Sequence, residues 1–548
     1  MTIRYEQHPL SSAQRLSNDF IQQTNDQLQL LFPYHPSQEQ DWKQRLESIQ
    51  NKTKHQVDRS NLAAVLRTYN EKAGAGAATF SSIDSIASGS PVIIGGQQAG
   101  LWSGPLLVVY KVVSIIQSAR YATELLGEKV VPVFWIAGED HDWDEVNHTY
   151  ILSAEQELKK VTLSRPPGAN TSVSRSKVTV DQWAKQLTTL EEILPNTEFK
   201  EPLLALLQQY SEQSESLSDL FAKMMVSLFP EEGLIVIDAD DPNLRHLESE
   251  MFQYFIEHND ALAASYHKDA EKVKQLGYPL QVEPQLGCSN LFYFAPELEG
   301  ERVLLYKQDG LFVDRKQRIQ LTKEQLLQIA EQQPELLSNN VLTRPLMQEF
   351  LFPVLGTVLG TGEIAYWAAT GTAFAYAAFE QPIIIPRTSF TLLDGVVDKN
   401  MKKYELSFTD VIERFDECKA AWLKEQDTLQ LEEQFSAVAE SFTKSYTPLL
   451  QTAVSIQPGL AKLGDTNLNK ILEQIRFMEQ KTVAAHEKQF EAAIRQFDRI
   501  KVTITPADRL QERALTVVSY LSRYGQQWLE ELLTIPYKPT GGHYIIYL

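Results

Sequence analysis

The chain has 548 residues, enough for roughly three to four domain-sized units at about 150 residues each, so a single small module is excluded. Hydrophobic residues at 43% and charged residues at 22% match a soluble globular protein and not a disordered one. With 51 Lys and Arg against 71 Asp and Glu the net charge is -20, which repels phosphate backbones and anionic lipid; no nucleic-acid or membrane partner is expected.

In chain order, Ser11 to Thr68 places apolar residues such as Phe20, Leu28 and Leu31 at helical spacing and reads as a helical lead-in. A Gly-, Ala- and Ser-rich stretch from Ala73 to Ser90 then delivers the chain into Pro91 to Ile94, a buried strand that stops at Gly95-Gly96. A helix from Pro105 to Ala122 and a second apolar run, Val130 to Ile136, complete a βαβ unit with an expected right-handed crossover. Leu234 to Ile237 and Ile383 to Ile385 are two further runs of this kind, so the fold class is α/β with a parallel sheet covered on both faces. This core occupies residues 1–390, with insertions near 150–230 and 260–330. The second insertion alternates polar and apolar residues, as at Leu291, Tyr293, Val303 and Leu305, and predicts antiparallel strands.

Residues 391–505 change character to long helices. Leu431, Phe435, Val438 and Phe442, a turn near Pro458-Gly459, then Leu468, Ile471, Ile475 and Met478 have the spacing of a coiled-coil seam. The pattern runs on through Val483, Phe490, Ile494 and Phe497, and predicts an antiparallel helical hairpin that projects from the core and makes a homodimer. An ordinary packed helix pair has the same spacing. Residues 506–548 return to the core, with Pro506 opening a final helix and His543 to Leu548 forming an edge strand. The uncharged stretch Ile364 to Phe379 falls short of the roughly 20 residues that span a bilayer and reads as one buried helix. Met1 to Ser11 lacks a signal-like apolar stretch, and Cys288 and Cys418 form no CxxC pair, so a reducing cytoplasm is expected.

Ligands in an open parallel sheet bind at the carboxyl ends of strands, so the loops there carry the candidates. The loop Gly95 to Pro105 permits close backbone approach to an anion, yet it has neither a Walker Lys-Ser/Thr nor a dinucleotide fingerprint; a tight strand-to-helix turn is the alternative. The segment Gly138 to His148 packs five carboxylates and two imidazoles together. If helical, it aligns His141, Glu145 and His148 for a divalent metal, the arrangement of a metal-dependent hydrolase. Acid/base or substrate-binding work is the preferred reading, acidic residues favoured at a helix N-terminus are the alternative, and no metal is assigned. Arg344, beside Gly360 to Glu363, suits a carboxylate or phosphate, or else a structural ion pair; Arg387 carries the same ambiguity.

Four runs carry a resemblance: V-I-I-G-G-Q-Q-A-G-L-W-S-G-P from Val92, V-V-P-V-F-W-I-A-G-E-D-H-D-W-D-E-V-N-H from Val130, L-T-R-P-L-M-Q-E-F-L-F-P-V-L from Leu342 and G-E-I-A-Y-W from Gly362. With the closing G-H-Y-I-I-Y from Gly542, the chain resembles, over essentially its whole length, the bacillithiol biosynthesis cysteine-adding enzymes. The resemblance implies a Rossmann-like core related to class I nucleotidyltransferases, inserted connective lobes and a dimerising coiled coil. It also implies a ligase activity, the joining of the cysteine carboxyl group to the amine of glucosaminyl malate, with those two small molecules as partners. Adenylation by ATP would activate the carboxylate, but Gln97 to Gly100 stand where class I synthetases have His-x-Gly-His, and no Lys-Met-Ser-Lys-Ser loop occurs, so the cofactor is left unassigned. Within that frame Gly96, Gln97, Gly100 and Gly104 cradle an anionic group with Lys111 as charge partner. Asp140, His141 and Asp142 bind or deprotonate the amine, with His141 the best-matched base, and Arg344 and Glu363 orient carboxylates and an amine. A zinc ion held by His141, Asp142 or His148 is a minor variant, and a non-catalytic coiled-coil scaffold is the remaining alternative.

Overall fold

The computed structural model describes residues 4–10, 12–52, 56–426 and 430–548. Fifteen strands follow in chain order: β1 Arg4–His8, β2 Val92–Gln97, β3 Val131–Ile136, β4 His148–Leu152, β5 Leu158–Thr162, β6 Ile235–Asp238, β7 Cys288–Ala295, β8 Glu301–Gln308, β9 Leu311–Asp314, β10 Gln320–Leu321, β11 Leu337–Asn339, β12 Val354–Leu359, β13 Ile383–Pro386, β14 Thr388–Leu393 and β15 Gly542–Tyr547. The chain divides into two compact units, residues 1–392 with 511–548, and residues 393–510.

The first unit is built on a five-stranded sheet in the order β13-β12-β2-β3-β6, with parallel pairing throughout. Its strands read as near-continuous apolar runs because both faces are covered; Val92, Ile93, Ile94, Phe134, Trp135 and Ile235 are fully buried. The chain runs from β2 outward through β3 to β6, then crosses to β12 and β13 on the other side. The order therefore reverses between β2 and β12, the switch point at which open α/β sheets bind ligands. Strand β12 has no counterpart in the sequence reading, because Gly356 and Thr357 interrupt its apolar run. Gly356 is required by packing: a Cβ there would lie 2.6 Å from Ile385 Cδ1.

The first insertion supplies the β4–β5 hairpin and the helices Val180–Ile193, Lys200–Glu212 and Leu217–Leu228. The second supplies an antiparallel sheet in the order β10-β9-β8-β7-β11. Three expectations are corrected here. Strand β15 is not an edge; it lies between β1 and β14. Pro506 opens only a short 3-10 turn, and the helices that follow are Val518–Tyr524 and Gln527–Leu532. Ile364 to Phe379 is not one helix but parts of two, Thr361–Trp367 and Gly371–Tyr376, separated where the Thr370 hydroxyl donates back to the Trp367 carbonyl at 2.7 Å. Among the described residues no helix is long and apolar enough to cross a membrane.

The second unit contains two long helices, Leu431–Ile456 and Ala461–Glu487, joined through the turn Pro458–Leu460. They pack closely near the turn, where a Cβ on Gly464 would sit 2.9 Å from Leu450 Cδ2 and Tyr446 donates to Asn467 at 2.5 Å. Farther along, Tyr404, Trp422 and Phe497 form an aromatic cluster, with Tyr404 stacked on Phe497 at 4.3 Å. Of the expected seam, Leu431 is buried and Phe435, Phe442, Leu468, Ile471 and Ile475 are half-buried, whereas Val438, 55% exposed, and Met478, 54% exposed, depart from it.

Candidate functional site

The carboxyl ends of β2, β3 and β12 open into a cavity of about 350 Å3, closed on its far side by the inserted antiparallel sheet. Gly96 and Gln97 at the end of β2 form part of its wall. A Cβ on Gly96 would lie 2.6 Å from the Trp135 carbonyl oxygen, so only glycine lets β2 and β3 run this close. Gln98 lines the cavity too, whereas Ala99 to Gly104 do not. Leu101, Trp102 and Ser103 are fully buried, Trp102 and Ser103 adopt left-handed backbone, and Gly100 and Gly104 pack against each other. The first amide of the helix Leu106–Leu126 donates to the Leu515 carbonyl at 2.8 Å, and the Thr516 hydroxyl to the Trp102 carbonyl at 2.7 Å. That helix N-terminus is therefore closed by the protein itself, and Gly100 and Gly104 serve the turn.

Lys111 is on the same helix, 1% exposed, and its three ammonium hydrogens have three acceptors: Gly96 O at 2.8 Å, Gln97 Oε1 at 3.0 Å and Glu363 Oε2 at 2.5 Å. Burial pushes its pKa down, with Glu363 opposing. Burial pushes the Glu363 carboxyl up, but Lys111 and Arg344 outweigh it and hold that pKa below the usual value, so the carboxylate is ionised. Glu363 Oε2 also accepts from the Gly360 amide at 2.8 Å, which fixes the side chain at the start of the helix Thr361–Trp367. Lys111 is thus the internal partner that orients Gln97 and Glu363. The lysine that sequence assigns to an anion, and the helix N-terminus beside it, are both engaged within the fold, so this loop does not fit a nucleotide phosphate and no step is routed through one.

Arg344 lines the cavity beside Glu363, donating through Nη2 to the Tyr366 hydroxyl at 2.5 Å, while its buried Nε has no partner among the described residues. Across the cavity the loop after β3 presents Glu139, Asp140 and His141. Asp140 Oδ1 accepts from the His141 amide at 2.7 Å and Oδ2 from Gln98 Nε2 at 2.6 Å. Burial raises its pKa, but the Gln98 hydrogen bond and the Arg302 charge more than reverse that, so it is ionised. Asp142 caps the short helix Trp143–Val146 and does not line the cavity. Because that helix ends before His148, which opens β4, His141, Glu145 and His148 do not share a helical face. Among the described residues no cluster of three or more His, Cys, Asp or Glu could hold a metal, and the metal-hydrolase arrangement is not formed.

Several cavity residues were not singled out from sequence. Arg302 on β8, with a side chain 4% exposed, donates from Nε to Ser338 Oγ at 2.9 Å, from Nη2 to the Asn339 carbonyl at 2.9 Å and from Nη1 to His141 Nδ1 at 3.0 Å. Its guanidinium stacks 3.7 Å from the Phe292 ring, and burial pushes its pKa down to about 10. Asn339 on β11 is buried with neither amide atom partnered among the described residues. Glu139 pairs with the buried Arg245 and accepts from the Asn339 amide. The one available signal was a charged residue inside the alternating β8 pattern, which does not distinguish Arg302 from a solvent-facing strand residue. Cys288 packs with Tyr306 and Val313 away from the cavity, and Cys418 lies in the second unit.

A parallel sheet with a cavity bearing charged side chains at its switch point, an antiparallel lobe across it and a helical hairpin in a second unit define a Rossmann-like α/β protein with a coiled-coil unit. Residues 3–388 match the family model described as bacillithiol biosynthesis BshC, N-terminal Rossmann-like domain, and residues 390–548 match that of the BshC C-terminal coiled-coil domain. The chain belongs to the BshC family of bacillithiol biosynthesis. It is 34% identical to a Bacillus cytotoxicus protein provisionally named cysteine ligase BshC, over 98% of each chain. A Geobacillus sp. WCH70 protein of the same name is 35% identical over 98% of this chain and 99% of its own, and one from Lysinibacillus sphaericus is 34% identical over 90% and 91%.

Proposed function

We propose that this chain is a cytoplasmic ligase that joins the carboxyl group of cysteine to the amine of glucosaminyl malate, the last step of bacillithiol synthesis. The observation that carries the reading is the single cavity in which ionised Glu363 and the guanidinium of Arg344 face the Asp140–His141 loop, with the relatives' names supplying cysteine. Glu363 Oε1 has no partner among the described residues and binds the substrate ammonium group; the unpartnered Arg344 Nε binds a malate carboxylate. An amine attacks only as the free base, and we assign Asp140 to accept its proton; the C–N bond forms as a C–O bond of the cysteine carboxyl breaks, that oxygen leaving on phosphate or AMP where a nucleotide activates it and as water where none does. Purified protein incubated with both substrates, with ATP, with another nucleotide or with none, is expected to yield the amide product by mass spectrometry in at least one arm. Absence of product in every arm overturns the reading.

We further propose a homodimer through the helical hairpin. Val438, Leu449 and Ile456 recur along one stripe of its first long helix and are all exposed, as are Leu463, Phe477 and Met478 on its second. A second copy of the hairpin supplies the apolar surface that such stripes need to leave water.

A further inference from the structure

We infer that His141 serves the ligase as a neutral hydrogen-bond donor through Nε2, aimed at a carboxyl oxygen of the cysteine substrate, in the one tautomer that Arg302 permits. The inference rests on the ligase reading for the identity of the acceptor, and on geometry alone for the tautomer. A guanidinium has only donors, so at 3.0 Å from Arg302 Nη1 the His141 Nδ1 must be the acceptor. A neutral imidazole has one acceptor and one donor nitrogen, and the proton therefore sits on Nε2. Arg302 cannot swing away cheaply, because Ser338 Oγ, the Asn339 carbonyl and the Phe292 ring hold its other edges and its face.

The charged groups around the ring compete, and the outcome is decided by distance and burial. Asp140 Oδ1 lies 3.7 Å from Nδ1 and favours a proton there, but it already accepts the His141 and Asp142 amides and is 3.9 Å from Arg302 Nη1. Asp142 also favours the charged ring and Arg165 disfavours it; burial first, then Arg302, pushes the pKa below the ordinary histidine value. Nε2, on the opposite edge of a ring that lines the cavity, has no partner among the described residues. A nitrogen that carries its proton cannot take one from the amine, so the base role assigned to His141 from sequence is replaced by donation. Such a donor strengthens as negative charge builds on the carboxyl oxygen during attack. Arg302 is the positioning residue.

Two measurements test this. In protein labelled with 15N-histidine, the His141 resonance, assigned among ten histidines by its loss in His141→Ala, is expected to show an unprotonated Nδ1 and a protonated Nε2, unchanged from pH 8 to 6. In Arg302→Met, the ring is expected to lose that tautomer preference and to titrate higher. For turnover, His141→Gln puts an amide donor near the Nε2 position and provides no base. His141→Ala is expected to lose about 100-fold and His141→Gln less than about tenfold. A protonated Nδ1 in the wild type, or His141→Gln as impaired as His141→Ala, overturns the inference. If the wild type forms no product the ligase reading and the cysteine acceptor fall together, while the spectrum still decides the tautomer.

Discussion

The two units of this chain treat their apolar residues differently. In the Rossmann-like unit the five strands, the helix Leu106–Leu126 and even charged side chains such as Lys111, Arg245 and Glu512 are buried with partners in the same unit. In the helical unit, the two long helices pack on each other, and Leu449, Ile456 and Leu463 are 61%, 79% and 64% exposed. A sheet covered on both faces satisfies itself, whereas a two-helix hairpin buries one stripe of each helix and leaves the neighbouring stripe in water. Self-sufficiency should therefore belong to the first unit, and dependence on a second copy to the other.

Replacing Val438, Leu449 and Ile456 together by serine should break this comparison hardest. At about 1.5–3 kcal/mol per buried aliphatic side chain, the loss should exceed about 4 kcal/mol of association, and sedimentation should report monomers with the core still folded. Dimers that survive the triple substitution would mean that the stripes face nothing. The next effect in size tests the core: Glu512→Ala removes the partner of the buried Arg387, at 2.6 Å, and should cost about 3–5 kcal/mol, seen as a lower urea midpoint that does not vary with protein concentration. The smallest change sharpens the contrast through pH. Burial first, then Asp240, pushes the Asp238 carboxyl up to about 7 from 3.8. A group whose folded pKa is raised contributes stability that is full below about pH 4 and is lost as pH rises through about 7. Asp238→Asn cannot ionise, so its melting temperature should exceed that of the wild type at pH 8 and lose that advantage at pH 4.

The parts legible in the sequence were those set by local pattern. Val92 to Ile94 and Val131 to Ile136 announce buried parallel strands, and Leu291, Tyr293, Val303 and Leu305 announce the antiparallel lobe, because burial on two faces or one leaves a different period. Val354–Leu359 was illegible because its Gly and Thr answer to neighbouring strands, not to strand propensity. Asp140, His141, Arg344 and Glu363 were legible as chemistry-bearing residues next to strand ends, and all four line one cavity. Gly100, Gly104 and Lys111 looked equally functional; only the tertiary partners Leu515, Thr516 and Glu363 reveal that they are engaged within the protein. Arg302 could not be found at all, since its value lies in meeting a histidine 161 residues away in sequence.

The exit and return of the chain at the first unit meet at one point: the Leu392 amide donates to Gln511 Oε1 and Gln511 Nε2 donates back to the Leu392 carbonyl, each at 2.8 Å. The chain thus leaves the first unit after Leu392 and re-enters it at Gln511 beside this pair of hydrogen bonds. Were the segment between them an unstructured coil of well over a hundred residues, closing it would cost on the order of 4 kcal/mol. Near the ends of that segment the helix Gly395–Lys403 packs on Glu491–Ile504, and Arg499 pairs with Asp394 at 2.9 Å. With Asp394 and Arg499 paired, the two ends of the excursion are held close, so the long segment spans the gap between Leu392 and Gln511 as a short tether would.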